Sequence, residues 1–155
     1  MVIRQARKEE LAAILEIQLA AYRVHTSWLR PEQIPPLNEG VEDIEADFSH
    51  KVILVAETGG RIAGSVRYAI KGGVCILERL SVSPDIQRSG IGRQLVGEVE
   101  RLAFPSAHKV YLETGLLADD LLKFYSALGY SGEAVFKNHY GNFDWIAFSK
   151  FAERS

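Results

Sequence analysis

The stretch that decides the fold is residues 51–82, KVILVAETGGRIAGSVRYAIKGGVCILERLSV. Gly59-Gly60 and Gly72-Gly73 divide it into three runs rich in Val, Ile and Tyr. Paired glycines between such runs signal tight hairpins, because the central turn positions need a backbone that glycine adopts without strain. The stretch therefore predicts an antiparallel meander with strands at 51–57, 61–70 and 74–82. Upstream, VIRQA at 2–6 reads as a short strand. From Lys8 to Tyr22, the residues Leu11, Ile14, Leu15, Leu19 and Tyr22 fall at helical spacing, leaving Glu9, Glu10, Glu16 and Gln18 for solvent or the helix flank. Residues 23–38 hold three of the five prolines and cannot form one regular element, whereas EGVEDIEADFSH, 39–50, reads as a short acidic helix.

Downstream, a helix is expected over 90–103 with Ile91, Leu95, Val99 and Leu102 on one face, followed by the strand KVYLET. LADDLLKFYSALGY, 117–130, predicts a second helix with the stripe Leu117, Leu121, Phe124 and Leu128, stopped at Gly129. SGEAVFKNHYGNFDWIAFSKF closes the chain as two strands about a turn at 138–142. A meander joined to crossovers predicts one α+β domain over 1–155, built on a mixed, mostly antiparallel twisted sheet flanked by helices.

Bulk properties narrow the partners. Lys and Arg number 18 against 20 Asp and Glu, a net charge of −2, so nothing general attracts a polyanion and nucleic acid is not expected as a partner. A single cysteine, Cys75, excludes an internal disulfide and fits a reducing compartment. The start of the chain, MVIRQARKEE, is charged with no apolar run behind it, and no stretch has the ~18 uninterrupted apolar residues of a membrane span. A soluble cytoplasmic protein is the expectation. His25, His50, His108 and His139 lack metal-ligand spacing, no Gly-x-Ser-x-Gly elbow occurs, and no metal is expected.

The segment after the meander, DIQRSGIGRQLV at 85–96, packs glycines and hydrogen-bonding side chains against the start of the 90–103 helix. Glycine lets a ligand approach the main chain, and unpaired N–H groups and the positive dipole end suit an anion, most simply a phosphate. A dinucleotide site fails at Leu95, where its third glycine belongs, and a P-loop fails at Arg93, where its lysine belongs. What remains is Gln87-x-x-Gly90-x-Gly92 after a strand and before a helix. At this point the sequence resembles the GCN5-related N-acetyltransferase superfamily, whose acetyl-CoA signature is Gln/Arg-x-x-Gly-x-Gly/Ala. LLKFYSALGY is similar to that family's later signature, a tyrosine before a Leu-Gly-aromatic helix end, and the order of elements matches over essentially the whole chain.

The resemblance implies acetyl-CoA as acyl donor. Gln87, Arg88, Ser89, Gly90, Ile91, Gly92 and Arg93 would hold the pyrophosphate, while Leu80, Ser81 and Val82 would offer main-chain groups to the pantetheine arm from a strand splayed from its neighbour. It also implies an N-acetyltransferase acting on a primary amine of a small molecule or peptide by direct attack in a ternary complex, and it leaves a homodimer open. An alkylammonium must lose a proton before it attacks, so a base is required. Glu113 lies twelve positions before Tyr125, the separation at which similar family members carry a basic-role glutamate. Glu78 is the rival, because it alternates with Val74, Ile76, Leu80 and Val82 on one strand face. The main-chain N–H of Leu80 would serve the developing oxyanion and the Tyr125 phenol the departing sulfur. Ala118 stands where many relatives have an asparagine, which removes one contact. Acidic and aromatic residues in 22–48 and 136–145 suit a cationic acceptor. The alternative is a noncatalytic CoA-binding or regulatory module.

Overall fold

The computed structural model describes residues 1–86, 89–140 and 142–153. The meander forms as β2 (Val52–Thr58), β3 (Arg61–Lys71) and β4 (Val74–Val82). All four turn glycines have positive φ, from 56° to 78°. β1 (Val2–Gln5) pairs antiparallel with β2, and after the crossover helix α3 (Ile91–Ala103), β5 (Lys109–Gly115) lies parallel to β4. Helix α4 (Asp119–Ala127) then leads to the hairpin of β6 (Ser131–Tyr140) and β7 (Phe143–Phe151). The seven strands run in the order β1-β2-β3-β4-β5-β7-β6. Only the β4–β5 junction is parallel.

The two faces of the sheet carry different helices. One buries Leu95, Val96 and Val99 of α3 and Tyr125 of α4 against Val66, Leu77, Val110 and Leu112. Gly64 allows this approach: a Cβ there would meet Ile91 Cγ2 and Leu95 Cδ1, both at 3.1 Å. The other face packs Leu11 and Ile14 of α1 (Leu11–Tyr22) and Ile44 of α2 (Val41–His50) on Ile53 and Val55 of β2. Truncating one such leucine to alanine typically costs about 2–5 kcal/mol.

Several expectations need correction. Residues 8–10 are a 3-10 turn ahead of α1, whereas 23–38, expected to form no single regular element, holds three separate short 3-10 turns. Gln18, expected toward solvent, is buried, because its amide donates to Pro36 O at 2.8 Å and its Oε1 accepts from Arg67. Arg67 is itself 1% exposed in the middle of β3, with Asp47 Oδ2 at 2.6 Å and Glu39 Oε1 at 3.1 Å. A buried charge stays folded only when so partnered. Leu117 lies outside α4 and is exposed, and Leu102 is likewise exposed, its place in the α3 stripe being taken by Val96 and Ala103. Tyr125, not Phe124, is the buried residue of α4.

Candidate active site

The site begins with a register fault. Ser65 and Arg67 of β3 face Ser81 and Glu78 of β4, two steps against three, so β4 carries an extra residue at Arg79. Arg79 has φ 55°, a left-handed conformation that costs a non-glycine residue roughly 1–2 kcal/mol. Glu39 offsets that strain by accepting from Arg79 Nε at 3.1 Å. The bulge reverses the alternation of β4. Glu78 shares the α1 face with its partner Arg67, while Leu80 and Val82 turn to the α3 face and pack with Leu77. The expected common face of Glu78, Leu80 and Val82 therefore does not exist.

β4 and β5 part after Ile76, ahead of the bulge. They pair only at Val74–Lys109, Cys75–Val110 and Ile76–Tyr111. The gap is a cleft of ≈ 1120 Å³ lined from both faces of the sheet. On the α3 side, Gly90 caps the helix with φ 85°, and among the described residues a Cβ added there would meet only Gln94 Nε2, at 4.0 Å. The first amides of α3, on Ile91, Gly92 and Arg93, have no partner within the helix and border the cleft. Gln87 and Arg88 lie outside the described residues. The Ser89 hydroxyl donates to Ile86 O at 2.6 Å and so serves the local turn. Leu80 and Val82 line the cleft, whereas the buried Ser81 does not, its hydroxyl donating to Arg79 O at 3.3 Å. The Leu80 carbonyl accepts from Tyr22 Oη at 3.0 Å, which takes one of its two acceptor positions.

The two carboxylates differ in setting. Glu113 Oε2 accepts from Tyr111 Oη at 2.6 Å, and Oε1 lies 2.8 Å from His139 Nε2. Tyr111 and Glu113 alternate on one face of β5, while His139 comes from β6, which no sequence spacing relates to Glu113. Glu78 Oε2 instead accepts from Lys51 Nζ at 2.7 Å, and Lys51 also meets Asp47 at 3.2 Å. Glu78 therefore joins the ion cluster around Arg67. Both carboxylates reach the cleft.

Tyr125 faces Glu113 across the opening, from the other side of the sheet: Leu112 packs in the core that holds Tyr125, and Glu113 alternates with it. Its ring lies edge-on to Phe124 and Tyr130, with centroids at 5.0 and 5.7 Å. No described residue hydrogen-bonds its hydroxyl. Burial, with the nearby Tyr22 adding to it, raises the phenol far above its usual value, so it stays protonated. Ala118 is the N-cap of α4 and offers no side-chain cap. His25, which sequence reasoning passed over, lines the cleft with its imidazole lowered by burial against the opposing charge of Asp120.

The expected acidic acceptor surface is largely absent from the cleft. Glu39 and Asp47 are spent on Arg67, Arg79 and Lys51, Asp43 Oδ2 accepts from Gly40 N at 2.7 Å, and neither Glu42 nor Asp43 borders the opening. Among the described residues, no helix is long and apolar enough to cross a membrane, and no cluster of three or more His, Cys, Asp or Glu could hold a metal.

The family model described as "Acetyltransferase (GNAT) family" matches residues 5–130. An acetyltransferase of Pectobacterium atrosepticum is 29% identical over 133 residues, which span 84% of this chain and 87% of that protein. Among solved structures, PaiA N-acetyltransferase of Thermoplasma acidophilum in complex with coenzyme A superposes with a TM-score of 0.83 at 18% identity, covering 97% of this chain and 98% of that one. The yncA protein of Salmonella typhimurium with its cofactor acetyl-CoA gives 0.79 at 19% identity, covering 100% and 95%.

Proposed function

Because the chain belongs to the acetyltransferase (GNAT) family, we propose that it moves an acetyl group from acetyl-CoA to a primary amine by direct attack in a ternary complex. The observation that carries this reading is the parting of β4 from β5 beside the glycine-led start of α3, with Glu113 and Tyr125 on opposite walls of the opening. Acetyl-CoA, a substrate here, supplies an electrophilic carbonyl and a thiolate leaving group. The space left at Gly90 among the described residues and the amides of Ile91, Gly92 and Arg93 suit its pyrophosphate, with Arg93 adding charge; Gln87 and Arg88, which the motif adds to this set, lie outside the described residues.

Glu113 takes the proton of the incoming ammonium. Tyr111 and His139 each occupy one carboxylate oxygen, and each oxygen keeps a second acceptor position for that proton. His139, exposed at the cleft edge, passes the proton on to solvent; Glu113 then takes the second proton from the attacking nitrogen as the C–S bond breaks, and CoA leaves as a thiolate that is protonated in solvent. Glu78 is the weaker candidate, since its reachable oxygen already faces the Lys51 ammonium. The Leu80 amide, beside the bulge, stabilises the developing oxyanion. Tyr125, held protonated by burial, donates a hydrogen bond to the departing sulfur; full transfer of its proton to a thiolate of ordinary basicity is uphill.

The test is release of CoA from acetyl-CoA across a panel of amines, with the acetylated product identified by mass. Acetyl-CoA binding without transfer to any amine would instead identify a noncatalytic CoA-binding module.

A further inference from the structure

A continuous arc of aromatic rings borders the acceptor side of the cleft. Tyr22 contacts His25 with centroids 6.0 Å apart, His25 meets Trp28 edge-on at 5.7 Å, and Trp28 meets Phe143 edge-on at 6.3 Å. Phe143 stacks on Trp145 at 4.9 Å, and Trp145 meets the His139 ring at 6.4 Å. The rings come from the end of α1, the 3-10 turn after it, and the β6–β7 hairpin, and all six line the cleft. Gly115 lets the two halves meet, since a Cβ there would lie 3.1 Å from Phe143 Cε2 and 3.2 Å from Trp28 Cη2.

The ends of the arc give it meaning. Tyr22 bonds the carbonyl of Leu80, and His139 bonds the carboxylate of Glu113. The arc thus spans from the oxyanion position to the base. An amine whose nitrogen reaches both must lay the rest of its body against these rings. Charge in this wall is largely spoken for: Glu78 is held by Lys51, Arg79 by Glu39, and Glu113 by His139 and Tyr111. Asp119 and Asp120 also line the cleft and form no ion pair among the described residues; Asp120 acts on His25, next to the Tyr22 end of the arc, and leaves negative charge there for an ammonium. Rings arranged edge-on and stacked favour another flat ring over an extended polycation.

We propose that the acceptor is a primary amine carried by an aromatic body on a short aliphatic arm, with one positive charge and no carboxylate. This rests on the acetyltransferase reading above and specifies its second substrate. The probes are 2-phenylethylamine, hexylamine and spermidine, measured by calorimetric binding to the CoA-loaded protein and by CoA release from acetyl-CoA. The expected result is that 2-phenylethylamine binds about tenfold more tightly than spermidine and several-fold more tightly than hexylamine, as one or two favourable ring contacts supply. Trp28→Ala and Trp145→Ala should each remove most of that preference while the acetyl-CoA dissociation constant stays within twofold.

Equal or tighter binding of spermidine or hexylamine overturns the proposal, as does an unchanged preference in both tryptophan variants. The wild-type comparison stands even where a variant fails to fold. The two readings fail separately. Tryptophan-dependent binding of 2-phenylethylamine without CoA release supports the aromatic subsite and refutes the activity. CoA release driven best by spermidine supports the activity and refutes the subsite.

Discussion

Replacing Tyr125 by phenylalanine isolates one atom of the proposed chemistry. The ring is 6% exposed and packed edge-on against Phe124 and Tyr130, contacts that phenylalanine keeps. The hydroxyl has no hydrogen-bond partner among the described residues, so its loss should change stability by less than about 1 kcal/mol. Burial keeps the phenol protonated, so it acts on the departing thiolate as a hydrogen-bond donor to an ion. Such a bond contributes about 1.5–3 kcal/mol, and at about 1.4 kcal/mol per tenfold the variant should lose between ~10-fold and ~150-fold in kcat. Its acetyl-CoA affinity should hardly move. The assay is single-turnover acetyl transfer, which reads the chemical step without product release. No alkaline limb below about pH 10 should trace to Tyr125, since its phenol ionises above the ordinary range. A folded variant with an unchanged single-turnover rate would falsify the role and leave Tyr125 as packing alone.

Four further outcomes are expected. Gly90→Glu should abolish acetyl-CoA binding in calorimetry, because it sets a negative side chain in the open space before α3; affinity within twofold of wild type would move the pyrophosphate elsewhere. Glu113→Gln should lower kcat by ~10²-fold or more, as a positioned base commonly contributes, with the deficit shrinking at high pH. His139→Asn should lower the rate less than Glu113→Gln in the same kcat assay; if Glu78→Gln shows the larger loss, the base is Glu78. Glu10 is held down to about 2 from 4.5, first by its hydrogen bond from Arg4. The ionised form is thus favoured in the folded state, and the stability it adds is present above about pH 4.5 and lost as pH falls through about 2. The stability difference between wild type and Glu10→Gln in urea should follow that window, and a difference constant with pH would detach Glu10 from acid unfolding.

The glycine pairs at 59–60 and 72–73 announced the meander because each turn has a local cause, and the apolar spacing of Leu11, Ile14, Leu95 and Val99 announced the helices for the same reason. Gly90, Gly92, Glu113 and Tyr125, each singled out by a motif, all border one cleft. The bulge was not legible. Arg79 takes a glycine-like φ because Glu39, forty residues away, holds its guanidinium, and no neighbour in sequence reports that. The alternation argument for Glu78 failed for this reason. Gln18 and Arg67 explain each other only in space, one supplying an acceptor for the other's buried charge. His139, Tyr22 and His25 carried no motif; of the residues around Glu113, only Tyr111, two positions before it on the strand, could have been found from spacing.

The parted strands make the sheet a wall with a doorway in it. The glycine corner and Tyr125 stand on one side, and Glu113 and the aromatic arc on the other. Two reactants can then arrive by separate entrances, and their products can leave by the same separate exits. Neither visitor must wait for the other, so initial-rate kinetics should show intersecting lines without a compulsory order. CoA should compete with acetyl-CoA while the acetylated amine competes with its parent, each product blocking only the door it uses.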